Sequence, residues 1–373
     1  MELIRTTNIK GKYTIENFWN KLLNLDVSDC TYDYKVFFNE IRELSIILNH
    51  ILPKFVYRYQ AINCYTIENL LNDSIYGSKT SVMNDNLEAT GFYSIDDLRR
   101  MADDMIPSMR EIVQTHNIPN EFKGAVTKFG LIMNYATTKN VELSIPYIEK
   151  AINECHILLN YLQSSNELHN TLKEINNNCH IACFTECFES DYMASIYGDR
   201  SRGIILQYKV SDLAITCTNY GTCPLNYQCN NLHFKNMLIP INYSNEKYNI
   251  SNYIFSTLFQ YCFKKANSPN DSKLQFHTDM LWNIKLLATK GPAWKQEREW
   301  RLINCQCNPY EKSSHALIHK AKPSAIYLLS KISETNKNTI INIARLKNIP
   351  IYQLKEDYSN SKYNSFRKEQ LLL

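Results

Sequence analysis

The sequence predicts an α+β protein, on three observations. Two long stretches, 14–52 and 95–175, carry apolar residues at helical spacing. From about residue 180 onward, short β-branched and aromatic runs separated by polar segments read as strands. One strand-like run lies early, near 54–62, so helices and strands segregate along the chain instead of alternating. With 373 residues there is length for one large domain, or for a catalytic domain with a helical companion.

The elements follow in order. "IENFWNKLLNL" and "YKVFFNEIRELSIILNHIL" repeat apolar residues at i, i+3 and i+4, and Pro53 ends that helical segment. "KFVYRYQAI" (54–62) is short and aromatic, hence a strand. "TIENLLNDS" (66–74) reads as a helix capped by Thr66, and "IYGSKTSVMNDNLEA" (75–89) as strand and loop. The insert at about 95–175 reads as helical throughout and opens with a capping-box arrangement, Ser94 with Asp97. Strands are then expected at "HIACFTEC", "GIILQYKV", "LAITCT", "NMLIPINYS", "EWRLINCQC", "HALIHKA", "SAIYLLS" and "IPIYQLKED", interrupted by helices at 252–266 and 272–289. This gives a helical segment at 1–52, an α+β catalytic domain at 53–355 carrying the insert, and a polar C-terminal tail at 356–373.

Composition narrows the class. Hydrophobic residues make up 44% and charged residues 21%, ordinary for a globular protein, and the net charge of +4 gives no basic footprint for nucleic acid. No run approaches the roughly 20 apolar residues of a membrane span. The first residues lack an apolar signal core, so the expected location is the cytoplasm, or a target cell reached by a route that needs no signal peptide. The 12 cysteines are expected as reduced thiols. Cys217, Cys223, Cys229 and His233 are spaced loosely enough for a zinc loop, but Cys-x-x-Cys is absent and no metal is expected. No Gly-rich phosphate loop is present.

Three stretches could carry chemistry. In "VYRYQ", Arg58 sits among aromatics, where a buried guanidinium needs an anion; an exposed edge-strand arginine is the plain alternative. In "IACFTECFESDYMASIYG", Thr185 at a strand end can bond a ligand or the backbone, and Tyr197 can stack on a flat ring; both types are as often core residues. In "WKQEREWRLI", Glu297 and Glu299 share one face of a strand, with Arg298 and Trp300 on the other and Arg301 on the glutamate side. Two carboxylates this close must be solvated, paired or functional.

The order of these stretches resembles a widespread bacterial domain family of poorly defined function, with Cys-Phe-Ser-Glu and Trp-x-x-Glu-x-Glu-Trp-Arg motifs. It is also similar to mono-ADP-ribosyltransferases of the Arg–Ser–Glu type. That resemblance implies a split β-sandwich core and NAD as substrate. Arg58 matches the first-strand arginine, and Glu297 and Glu299 match the Glu-x-Glu pair. The Ser-Thr-Ser-like strand has two candidates, Ser78-Lys79-Thr80-Ser81 and Cys183-Phe184-Thr185. By the resemblance, Arg58 holds the NAD phosphates, Glu299 bonds the ribose, and Glu297 orients and deprotonates an acceptor, an arginine of a target protein. Tyr59 or Tyr197 would cover the nicotinamide. A toxin or translocated effector is the implied setting, and the helical parts are expected to carry target recognition. NAD hydrolysis, or nucleotide or protein binding without turnover, are the alternatives.

Overall fold

The computed structural model describes residues 13–25, 34–85, 90–115, 124–126, 132–134, 138–165, 179–213, 238–267, 281–304, 313–356 and 366–371. The fold is α+β. Among these residues the strands are, in chain order, β1 (Phe55–Gln60), β2 (Ser74–Lys79), β3 (Gly124–Val126), β4 (Ile132–Asn134), β5 (His180–Thr185), β6 (Ile204–Lys209), β7 (Leu238–Pro240), β8 (Asn242–Tyr243), β9 (Thr289–Lys290), β10 (Glu299–Asn304), β11 (His315–Lys320), β12 (Ala325–Leu328), β13 (Ile351–Glu356) and β14 (Phe366–Gln370).

The chain forms two compact units. One is drawn from the described residues of Met1–Leu48, Ala89–Ile175 and Glu246–Thr289, the other from Asn49–Glu88, Asn176–Asn245 and Lys290–Leu373. The first unit is mainly helical. Its core gathers Leu98 and Met105 with Ile148, Cys155 and Leu159 of the long helix Thr138–Gln163 and Phe255 and Phe259 of Ser251–Ala266. Tyr253 stacks on Trp282 with ring centroids 3.7 Å apart. So the N-terminal segment and the insert group with residues 246–289, which a division drawn along the chain does not show.

The insert is not helical throughout. Helices Ile95–Asp103 and Met105–Thr115 are followed by β3 and β4, which pair antiparallel, before Thr138–Gln163. Strands of three residues are too short to show a period in the sequence. The Ser94 hydroxyl accepts from the Asp97 N–H at 3.2 Å, as the capping arrangement predicts. The helix expected to begin at Thr66 runs over Cys64–Asn72 instead and is capped by Asn63. Asn63 accepts from the Thr66 N–H at 2.9 Å, while the Thr66 hydroxyl donates to the Ala61 carbonyl at 2.8 Å. The expected strand "LAITCT" and the loop with Cys217, Cys223, Cys229 and His233 lie outside the described residues, apart from Leu213.

The second unit is built on one branched sheet, with main order β11-β2-β5-β1-β6-β12-β13-β14, β10 attached at β5, and β7 paired in turn with β10. β10 pairs along all of β5, from Asn304↔His180 to Glu299↔Thr185. The other edge of β5 is shared: β2 pairs at His180 and Ile181, and β1 pairs at Thr185. Ala182, Cys183 and Phe184 form no ladder pair on that edge, so the sheet forks there. β12 and β13 are parallel and joined through the helix Glu334–Lys347. The polar C-terminal stretch supplies β14, which pairs with β13.

Gly203 begins the return from the Tyr197 turn into β6. A Cβ there would stand 2.1 Å from the Gln60 carbonyl oxygen, an obstacle of backbone that no rotamer change removes. The turn is already tight, with Asp199, Arg200 and Ser201 all at positive φ. Gly203→Ala is therefore expected to destabilise by about 1–3 kcal/mol, as overpacking does. A lowered midpoint in thermal or urea unfolding checks this, and an unchanged midpoint removes the close approach as a constraint.

Candidate active site

The fork between β1 and β2 opens a cleft of about 270 Å³. Arg58, Tyr59, Ser78, Thr185, Tyr197, Glu297 and Glu299, separated by up to 241 positions in the chain (299 − 58), all line it. Strand register explains the convergence. Tyr57, Thr185 and Glu299 stand opposite one another on β1, β5 and β10, so their side chains share a face. Alternation brings Tyr59, Cys183 and Arg301 to the same face.

Arg58 lies on the other face of β1 and enters the cleft through the fork. Its guanidinium donates to the Tyr76 carbonyl on β2 at 3.0 Å and lies 5.9 Å from the Phe184 ring centroid. Among the described residues it has no carboxylate partner. A half-buried guanidinium with donors to spare is chemically able to hold an anion.

The glutamate pair differs from its expected geometry. Glu297 is not on a strand: it ends the 3₁₀ turn Pro292–Glu297, and β10 starts at Glu299. Between them Arg298 adopts left-handed backbone, φ 45° and ψ 53°. That bend, which the Glu-x-Glu spacing does not announce, keeps both carboxylates on one cation. Lys290 Nζ donates to Glu297 Oε2 at 2.7 Å and to Glu299 Oε2 at 3.1 Å. Arg301 grips Glu299 with two bonds, Nε to Oε1 at 2.7 Å and a terminal nitrogen to Oε2 at 3.1 Å. The Tyr197 hydroxyl donates to Glu297 Oε1 at 2.7 Å. Side-chain exposure is 5% for Lys290, 2% for Glu297, 5% for Glu299 and 0% for Arg301.

Two carboxylates and two cations thus form a neutral buried cluster. Burial pushes the Glu299 carboxyl up, but the charges of Arg301 and Lys290 and bonds from Arg301 and the Cys183 thiol outweigh it, holding the group well below the usual carboxylate range. Burial, then the bond to Glu297, pushes the Tyr197 phenol up, so it remains a donor. The backbone is braced as well. The Thr185 hydroxyl donates to the Glu297 carbonyl at 2.6 Å and accepts from the Cys187 N–H at 2.9 Å, and the Tyr243 hydroxyl accepts from the Glu299 N–H at 2.8 Å. Of the two roles open to Thr185, the structure gives it the backbone one. Tyr59 is held through its hydroxyl, which donates to the Phe188 carbonyl. Trp300 is buried beneath β10, and Trp294 lies with its ring centroid 4.6 Å from Lys290 Nζ. Arg298 pairs with Glu186.

Lys290 and Tyr243 escape sequence reasoning. Lys290 lies seven positions before Glu297, beyond any spacing rule, and Tyr243 reaches β10 only by folding. Among the described residues no group of three His, Cys, Asp or Glu side chains could hold a metal ion, and no helix is long and apolar enough to cross a membrane.

Comparison with known proteins adds one relation. A family described as a protein of unknown function (DUF2971) matches residues 193–302. That span contains Tyr197, Lys290, Glu297, Glu299 and Arg301 and leaves Arg58 and Thr185 outside. No curated protein and no solved structure matches the chain.

Two outcomes follow from the cluster. Lys290→Met leaves two buried carboxylates to Arg301 alone and is expected to destabilise by about 3–5 kcal/mol. Adding Glu297→Gln to that variant should recover part of the loss in urea unfolding, because it removes the uncompensated charge. The depressed Glu299 carboxyl contributes stability that is complete above its unfolded-state value of 4.5 and is lost as pH falls toward about 2. Unfolding free energy should therefore fall across that acid window, and Glu299→Gln should flatten this portion of the profile.

Proposed function

We propose that the protein is an NAD-dependent ADP-ribosyltransferase that modifies a protein side chain, an arginine in the reading the Glu-x-Glu pair favours. The observation that carries this is the pairing of opposite ends in one cleft. Arg58 is a guanidinium without a carboxylate partner among the described residues, and Glu297 and Glu299 are buried acids. NAD needs both: its diphosphate is an anion, and loss of nicotinamide develops positive charge on the ribose.

In this mechanism the bond between nicotinamide and ribose breaks with its electron pair leaving on nicotinamide. Glu299, kept ionised by Arg301 and Lys290, faces the oxocarbenium-like ribose and bonds its 2′-hydroxyl. The acceptor nitrogen attacks the ribose carbon and gives up its proton toward Glu297, which Tyr197 and Lys290 hold in place. Tyr59 offers a ring for the nicotinamide, and Ser78 lines the cleft from the β2 side. Hydrolysis, with water as acceptor, has one observation in its favour. Glu297 is almost fully buried with both oxygens engaged, so a small nucleophile meets less obstruction there than a guanidinium.

The test uses NAD labelled in its ADP-ribose half, with and without cell lysate as a source of acceptors and activating factors. Release of nicotinamide with label on protein is expected, and release without label selects hydrolysis. Glu299→Gln should lower turnover by about 10²–10³-fold, as loss of a preorganised transition-state contact does. Arg58→Ala should act mainly on KM, by roughly tenfold, the worth of a charged hydrogen bond. A folded wild type that releases no nicotinamide under any of these conditions removes the proposal.

A further inference from the structure

A row of aromatic side chains leaves the glutamates along the same face of the sheet. Register aligns Tyr59, Ile205, Tyr327 and Tyr352 across β1, β6, β12 and β13. Tyr327 and Tyr352 stack, with centroids 5.1 Å apart and planes 19° from parallel. Phe188, from the segment after β5, lies against this row, 5.1 Å from the Tyr57 ring and 4.5 Å from the Tyr327 ring. Tyr57 also lines the cleft, so the aromatic ledge is continuous with the glutamate site.

A cation already occupies the ledge. Lys368 on β14 places its Nζ 3.8 Å from the Phe188 centroid and 5.5 Å from the Tyr327 centroid. Ring faces attract cations electrostatically, and more so when one side of the contact is dry. Glu189, next to Phe188 in the chain, adds negative charge that acts on both Tyr57 and Tyr59. Lys368 itself is exposed, and β14 is the last strand of its ladder, paired with β13 alone among the described residues. An ammonium in that position can return to water without leaving a buried group unpaired. Glu297 and Glu299 are paired with Lys290 and Arg301, so a second surface that attracts cations adds to what the glutamates offer an acceptor.

We infer that Tyr57, Phe188 and Tyr327, with Glu189 beside them, form the subsite for a cationic side chain of the acceptor, and that Lys368 is its built-in occupant, displaced when the acceptor docks. The inference rests on the transferase reading, and it adds where the acceptor binds and what competes with it.

The probe is agmatine, a small guanidinium, titrated calorimetrically into the full chain without NAD. Butylurea, an uncharged analogue with a urea in place of the guanidinium and no terminal ammonium, is the control. Lys368→Ala is expected to bind agmatine about two- to fivefold more tightly than wild type, the range of a partly exposed cation–π contact. The analogue should not bind, and Phe188→Leu added to Lys368→Ala should reverse the gain while circular dichroism confirms the fold. Unchanged affinity in Lys368→Ala, equal binding of the analogue, or retention of the gain without Phe188 overturns the inference. Nicotinamide release is scored separately. If wild type binds agmatine as expected but cleaves no NAD, the transferase reading falls and the cationic subsite stands. If it cleaves NAD but Lys368→Ala changes nothing, the subsite falls and the reading stands.

Discussion

The candidate site depends on four charges buried together: Lys290 between Glu297 and Glu299, and Arg301 behind Glu299. None of the four tolerates burial alone, because an isolated ion in the interior costs several kcal/mol. Together they are neutral and hydrogen-bonded, and they join three pieces of chain. Lys290 comes from the short strand β9, Glu297 from a 3₁₀ turn, and Glu299 and Arg301 from β10. Much of the nearby backbone geometry answers to this cluster. The left-handed Arg298 turns Glu297 inward, Thr185 and Tyr243 hold the chain on either side, and Tyr197 reaches across to complete Glu297.

The fork in the sheet turns that cluster into a site. Had β1 or β2 paired along the whole edge of β5, Cys183 and Phe184 would sit under a continuous ladder. Because β1 pairs at one end of β5 and β2 at the other, the gap admits Arg58 from the opposite face. One cleft thereby holds a guanidinium with no carboxylate partner among the described residues and two carboxylates paired with Lys290 and Arg301. The aromatic row beside it extends the same sheet face toward β14, so the site and its surroundings share one scaffold.

Much of the fold was legible because periodicity is local. β1, β5, β6 and the helix at 251–266 follow from apolar spacing and side-chain shape, and the Ser94 cap follows from a three-residue rule. The exceptions have local reasons as well: β3 and β4 are too short to show a period, and Asn63 competes with Thr66 as a cap three residues earlier. The grouping of 1–48 and 89–175 with 246–289 is non-local, and no linear boundary expresses it.

For this chain, the sequence by itself determined the α+β pattern, the residue types available for chemistry, and the nearness of Glu297 to Glu299, which is covalent. The tertiary structure decided the rest. It brought Arg58 and Glu299 into one cleft through the fork between β1 and β2, gave Thr185 to the backbone, and recruited Lys290 and Tyr243. The physical reason is that charge pairing and register act through space. A lysine seven residues away bridges two glutamates only where a left-handed turn and a strand start aim all three at one point.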